Sequence, residues 1–371
     1  MPQSRILFFL PIDPHLIVNT EALGSIGMTL FFTLSGFVIH YNYGDALADF
    51  RIASIWSFAV ARFARLYPLY LLAFALTLAF IPNPYAGDQL QQAFPFYITL
   101  TQDWYPLKIN GNPLSSLYVG QAWSISAEIM LYFFYIPLAR GIRSFRSPRA
   151  VLSAVALLLV VATAFNLGRA NGYWAQYGWN QYYDFYQSPY CRFSEFLLGA
   201  LVATLYRKRI DLPSSWLERK SLLYMSLGWI VVVFFGAYSR HGNRFIDFEY
   251  SWGYAPACAG MIYYFARNRG RLSWVVESWP VILLGDASYS LYMLSGWSLW
   301  MFSANGASPS YGVATYRMVM AWVFLILLSL GSFKYFEVPA RQFIRRAAAG
   351  RRKKSTTKTE PQAVAETIEA S

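Results

Sequence analysis

Nine apolar runs, at about 24–42, 66–82, 122–138, 150–166, 189–206, 221–238, 252–266, 280–302 and 315–333, follow one another with short polar connections between them. Each is near the length a helix needs to cross about 30 Å of hydrocarbon. Inside a bilayer every backbone donor and acceptor must be satisfied within the chain, so such runs fold as helices. The chain is therefore expected to be all-α, a polytopic transmembrane helix bundle of nine to ten spans. A tenth stretch, 93–105, is short and semi-polar and reads as a re-entrant or interfacial piece. Only 13% of the residues are charged, against the ~25% of a soluble domain, and the connections are too short to hold a soluble domain.

The charges orient the bundle. With connections assigned to alternate sides, 51–65, 139–149, 207–220 and 267–279 hold fifteen Lys and Arg, against four in 83–121, 167–188, 239–251 and 303–314. The basic set belongs to the cytoplasm, which predicts a multi-pass protein of the cell inner (plasma) membrane with a cytoplasmic C-terminus. This accounts for the net charge of +12, which in a soluble chain would suggest nucleic acid; nine spans exclude that class. Cys191 and Cys258 lie in apolar runs without metal-ligand spacing and read as buried small hydrophobes, not as a disulfide. There is no P-loop, GxGxxG, CxxC or HExxH motif, so neither a metal nor a bound cofactor is expected.

The chain divides into three parts. Residues 1–23 are apolar only at 6–10, are broken by Pro11 and Pro14, and read as non-spanning. The topology leaves them outside, one helix short of a cytoplasmic start, so a truncated start is expected. Residues 24–345 form the transmembrane domain, and 346–371 a basic tail expected to be disordered from about Gly350.

A few polar groups interrupt the apolar runs. Glu128 lies within Trp-Ser-Ile-Ser-Ala-Glu-Ile-Met-Leu-Tyr, 123–132, where a mid-membrane charge costs roughly 2.5–3.5 kcal/mol and implies a functional site. Ser124, Glu128 and Tyr132 recur every fourth residue and line one helix face. The loop charges put Glu128 on a helix entering from the outer side, facing away from the Arg-rich mouth. Gly27, Ser35 and Gly36 suit close helix contact, and His40 near the end of that helix is a candidate proton acceptor. Arg62 and Arg65, beside Tyr67 and Pro68, stand at the expected entrance of the span beginning near Leu66. They fit positive-inside anchoring and phosphate recognition equally well. Arg192 and Glu195, three apart, read as a structural ion pair or part of a cavity. Ser288, Tyr292 and Ser295 form a second polar face, with Tyr289 between them, which interhelical hydrogen bonding would explain.

Together these stretches resemble the membrane-bound acyltransferase-3 family, which includes polysaccharide O-acetylases, a glucan succinyltransferase and macrolide acylases. The resemblance rests on Phe-Phe-Thr-Leu-Ser-Gly-Phe at 31–37, Arg-Phe-Ala-Arg-Leu-Tyr-Pro at 62–68, Trp-Ser-Ile-Ser-Ala-Glu at 123–128, Arg-Phe-Ser-Glu-Phe-Leu-Leu-Gly at 192–199, Ser-Tyr-Ser-Leu-Tyr at 288–292 and Glu-Val-Pro-Ala-Arg at 337–341. Each is weak alone; six in family order are specific. The resemblance implies a bundle of about ten helices that passes a small acyl group to a hydroxyl of a carbohydrate or lipid-linked glycan. The donor is expected to be acetyl-CoA or another acyl-CoA, and membrane lipids are the other partners. It also implies that Arg62 and Arg65, with Tyr67, lie near the donor's phosphates, and that Glu128, Trp123 and Ser124 line the central site. The family's first helix carries an Arg and, after ten residues, a His held to be the base. Here Arg5 and His15 have nine between them, interrupted by Pro11 and Pro14, and Ser295 stands where relatives often place a His. His15 is thus a poor match, and without a proper first helix the enzyme would lack its base. A polar stripe would also serve a non-catalytic glycan or acyl transporter or a degenerate partner subunit; a transporter should show inverted repeats or discontinuous helices, which the sequence does not suggest.

Overall fold

The computed structural model of the protein describes residues 14–80, 87–176, 186–208, 221–238, 248, 252–267, 271–302 and 311–357; side chains at 14–23, 169–176, 236–238, 271–273, 311–312, 314 and 350–357 lie outside the description. The described chain is all-α apart from one hairpin. It runs α1 (Pro14–Ala48), α2 (Ile52–Phe80), α3 (Asp88–Thr99), β1 (Lys108–Ile109), β2 (Asn112–Pro113), α4 (Trp123–Arg143), α5 (Pro148–Gln176) and α6 (Pro189–Arg207). It continues with α7 (Ser221–Tyr238), α8 (Ala255–Arg267), α9 (Arg271–Val276), α10 (Trp279–Asp286), α11 (Ser288–Phe302), α12 (Tyr311–Ser332) and α13 (Val338–Thr357). Among the described residues, five helical stretches are long and apolar enough to cross a membrane: Gly24–Ala48, Ile52–Phe80, Gly120–Arg143, Pro148–Gly168 and Thr315–Ala349; Ser221–Phe235 is a shorter apolar helix. The protein is a multi-pass helical membrane bundle.

α1 is the centre of the bundle, packed chiefly on α6 and also on α4 and α8. Two glycines make the α1–α6 approach possible. A Cβ on Gly36 would lie 1.9 Å from the Phe196 carbonyl oxygen, and one on Gly199 would lie 1.9 Å from that of Thr33, so the two backbones touch at both points. Gly27, grouped with Gly36 by sequence, faces open space. Ion pairs gather three C-terminal helix ends at one end of the bundle: Arg207 of α6 binds Asp45, and Arg143 of α4 binds Asp49 at 2.6 Å. Arg143 and Arg207 lie in the last turns of their helices, where cations complement the dipole.

The helix boundaries differ from the sequence reading in several places. α2 starts at Ile52, not near Leu66, because 52–61 is itself apolar and helix-forming and only Arg62 and Arg65 mask it in a hydropathy window. The run 280–302 is two helices, broken at Ala287: α10 buries nothing, whereas α11 buries Tyr289, Ser290, Met293, Leu294 and Ser298. The stretch 93–105 is the end of α3 plus a loop; Leu100, at φ 57°, closes the helix by returning its N–H to Tyr97. Beyond it Asn110-Gly111, both at positive φ, makes the two-residue hairpin turn that this dipeptide favours. α1 is helical from Pro14, where the described residues begin, and α13 is helical to Thr357, where they end. Residues 1–13 and 358–371 lie outside the described residues.

Candidate active site

Glu128 sits in the second turn of α4, buried among α1, α2 and α4. Its Oε1 accepts hydrogen bonds from Ser35 Oγ of α1 at 2.6 Å and from the Tyr132 hydroxyl, one turn along α4, at 2.5 Å. Two donors on one oxygen fix the carboxylate rotamer. Its Oε2 is buried with no hydrogen-bond partner among the described residues. Leaving a buried acceptor unpaired costs about 1–3 kcal/mol, more when it is charged, so this oxygen is the unsatisfied valence of the site.

Arg62 of α2 belongs to the same cluster. Its guanidinium lies over the rings of Tyr43 (5.2 Å) and Phe58 (6.0 Å), and Nη2 donates to the Tyr43 hydroxyl at 3.3 Å. The Phe58 ring meets the Tyr132 ring edge-on at 5.4 Å, and Arg62 is within electrostatic reach of Glu128 and Tyr132. Arg62 Nε, like Glu128 Oε2, is buried without a hydrogen-bond partner among the described residues. This reverses the expectation that Glu128 faces away from the arginines. Because α2 begins at Ile52, Arg62 is carried about 15 Å along the helix into the bundle.

Its sequence neighbours part from it. Arg65 is exposed and lies on the side of Tyr289 and Glu337. Tyr67 donates to the Ile98 carbonyl at 2.7 Å and stacks on Phe63 at 4.4 Å, so it clamps α3 onto α2. Ser124 and Trp123 open α4 and face a second polar region. Ser124 Oγ (3.3 Å) and the Tyr292 hydroxyl (2.8 Å) both donate to the Gln121 carbonyl, and Gln121 Nε2 reaches Ser295 Oγ at 3.5 Å. Trp123, Phe32 and Tyr186 surround the fully buried guanidinium of Arg192 at 5.9, 5.6 and 4.9 Å. Arg192 pairs with Glu195 at 2.8 Å, and Thr29 of α1 donates to the same Glu195 oxygen at 2.9 Å, which pins α1 to α6. In the loop after α3, burial pushes the Asp103 carboxyl well above the usual carboxylate range, with Arg192 pulling the other way.

Ser288 is exposed and joins no polar face. The adjoining Tyr289 and Ser290 are buried instead: Tyr289 donates to the Leu66 carbonyl at 2.5 Å and Ser290 to Glu337 Oε2 at 2.9 Å. His40 is held at both nitrogens, by the Tyr135 hydroxyl at 2.7 Å and Thr204 Oγ1 at 2.9 Å. Thr204 donates onward to the Ala200 carbonyl, so Nε2 carries the proton and Nδ1 accepts from Tyr135. No lone pair of His40 is left for a substrate. His15 falls in the first turn of α1, but its side chain lies outside the described residues.

An acyltransferase-3 profile, described as an acyltransferase domain, matches residues 4–333. The chain belongs to the acyltransferase-3 family. Protein 2 in the picA locus of Rhizobium radiobacter is 35% identical over 154 residues, which cover 38% of this chain and 78% of that protein. An uncharacterized protein of Haemophilus influenzae is 28% identical over 190 residues, 47% of this chain and 73% of its own length. No solved structure matches. As a member of the family the protein is a membrane acyltransferase; the six stretches of the resemblance, five of them within the matched residues and one just beyond at 337–341, divide by what they touch. Two of them, with Ser35 and Glu128, meet at the central carboxylate, and a third brings Arg62 beside it. The stretches with Glu195, Tyr289 and Glu337 make interhelical bonds. Sequence reasoning passed over Tyr43, Gln121 and Thr29; Thr29 alone had a signal, since it precedes Gly36 by seven residues on the same helix face.

Proposed function

We propose that this protein is an inner-membrane O-acyltransferase that moves an acetyl group from acetyl-CoA to a hydroxyl of a carbohydrate or lipid-linked glycan. In this reading it crosses the membrane nine or ten times with a cytoplasmic C-terminus. The observation that carries the reading is the half-satisfied carboxylate of Glu128, fixed at Oε1 and unpaired at Oε2 among the described residues, with the Arg62 guanidinium beside it. Attack of an acceptor hydroxyl on a thioester forms the ester C–O bond, breaks the C–S bond and delivers the hydroxyl proton to the departing sulfur. A carboxylate oxygen without another partner can accept the attacking hydroxyl's proton in a hydrogen bond and so raise the electron density on its oxygen, and a nearby guanidinium favours the charge that develops on the carbonyl oxygen. Glu128 is assigned to orienting and polarising the acceptor, and Ser124 and Trp123 to the wall on its outer side. A base supplied by His15 rests on family resemblance.

The test is transfer of radiolabel from acetyl-CoA into the glycolipid fraction of membranes holding the full chain. Glu128→Gln keeps the shape but replaces an acceptor by a donor, and should lower transfer by about a hundredfold or more while leaving membrane insertion intact. Wild-type transfer by that variant removes Glu128 from the mechanism. A wild-type chain that inserts correctly and transfers nothing overturns the enzyme reading.

A further inference from the structure

Behind α6 lies an apolar slot that the candidate active site does not use. Leu152, Val155 and Leu159 recur at i, i+3 and i+7 on α5, and Leu198, Val202 and Leu205 at i, i+4 and i+7 on α6, so each set makes one helix face. With residues of 256–263 of α8 and the first turn of α7, these faces enclose a cavity of about 200 Å³. It extends about 10 Å along α6, and its walls are aliphatic apart from the Tyr263 ring. Water in such a place would lack polar partners, and an unfilled void forfeits dispersion contacts along its walls. The two ends differ. At one, the fully buried Trp252, four residues before Pro256, donates from Nε1 to Oγ1 of Thr163, four residues past Leu159, at 2.9 Å and ties the walls together. At the other the cover is partial, for Leu152 is 40% exposed. Two cations stand there on the slot's own faces: the exposed Arg149, three residues before Leu152, and the half-buried Lys208, three residues past Leu205, whose Nζ donates to the Arg146 carbonyl at 3.3 Å.

We propose that this slot seats one acyl chain of an anionic phospholipid, with the headgroup phosphate held at Arg149 and Lys208. This is the basic end of the bundle, so the lipid belongs to the cytoplasmic leaflet in the topology proposed above. The chain supplies the contacts the walls lack, and a lipid joins hydrocarbon to anion at the depth where the aliphatic faces give way to cations. Basic helix ends in general fit plain anchoring at the membrane surface. What singles this place out is register and closure: each cation lies one turn from the residue that ends its apolar face, and the Trp252–Thr163 bond gives the chain a stop. The slot uses a different face of α6 from the one that brings Phe196 and Gly199 against α1, and Glu128 does not line it. A seated chain therefore backs the helix that braces α1 without entering the reaction centre.

Native mass spectrometry of the purified full chain tests this. Wild type in detergent is given equal amounts of dioleoyl phosphatidylglycerol and dioleoyl phosphatidylcholine, which share their chains and differ in net charge, and should retain one molecule of the first with about tenfold preference. Arg149→Ala combined with Lys208→Ala should abolish that preference. Val155→Phe, which fills the slot from its partly exposed wall, should weaken phosphatidylglycerol by about tenfold. Crosslinking needs no variant: phosphatidylglycerol carrying a diazirine in its chain should label Val155, Val202 and Ala259 in the wild type. Labelling confined to Leu157, Val160 and Val161, exposed on the opposite face of α5, shows bulk lipid only and overturns the site. Equal retention of the two lipids by wild type overturns the anionic assignment. Loss of phosphatidylglycerol from the double variant but not from folded Val155→Phe places the lipid on the basic surface alone and overturns the slot.

Discussion

At the scale of single residues the decisive feature is how unequally the two oxygens of Glu128 are treated. Ser35 and Tyr132 both donate to Oε1, so the carboxylate is oriented by groups on two helices and needs no substrate to hold its rotamer. This separates the positioning residue from the one that meets the acceptor. Tyr132→Phe removes one donor but keeps a ring against Phe58 and Phe196. On the proposed function, we expect acyl transfer to slow by about tenfold in kcat with little change in KM for either substrate, since the lost bond orients the carboxylate without touching acceptor or donor. Steady-state kinetics beside a thermal unfolding curve checks this; an unfolded variant, or a loss confined to KM, contradicts it. Glu128 itself was legible in the sequence because a carboxylate is costly within an apolar run. Its partners were less so. A serine or tyrosine hydroxyl in a membrane helix has many possible partners, and Ser35 reads just as well as a small residue beside Gly36. His40 shows the converse: a candidate proton acceptor by its chemistry, it is occupied at both nitrogens by groups 95 and 164 residues away, contacts no periodicity can reveal.

At the scale of helices, the site depends on how closely α1 lies against α6 and how early α2 begins. Gly36→Ala sets a glycine's low helix propensity against a clash. The gain of about 1 kcal/mol from propensity is outweighed, because the new methyl would fall 1.9 Å from a backbone carbonyl that cannot rotate away. The variant should lose about 1–3 kcal/mol of stability, whereas Gly27→Ala on the same helix, with open space around it, should be neutral or slightly stabilising. Melting temperatures of the two purified variants decide the matter, and equal melting would mean that the helices part easily. The sequence marked both glycines alike, since composition records that a residue is small but not what faces it. It placed the start of α2 too late for a related reason: hydropathy scores Arg62 and Arg65 as loop-like charges, whereas a helix can carry an arginine inward where aromatic rings and a carboxylate receive it.

For the whole molecule, the charge asymmetry and the ion pairs bear on the same question. Removing Arg62 and Arg65, which lie ten or more residues inside α2 and not at a helix end, from the fifteen basic residues of one side leaves thirteen against four, so the bias survives the correction. The pairs of Asp45 with Arg207 and Asp49 with Arg143 bring the ends of α1, α4 and α6 together, which requires these helices to run in the same direction. α4 is 21 residues, about 31 Å, and so separates the hairpin before it from the connection after it by a full bilayer core. Single-cysteine labelling in intact cells tests the sidedness. Lys108 on the hairpin and Arg149 beyond α4 are exposed, while the natural Cys191 and Cys258 are buried, so the parent chain should label only weakly. An impermeant maleimide should modify Lys108→Cys directly and Arg149→Cys only after permeabilisation. The reverse pattern would invert the bundle, and with it the side from which the acyl donor enters; labelling of both in intact cells would mean that α4 does not separate two compartments.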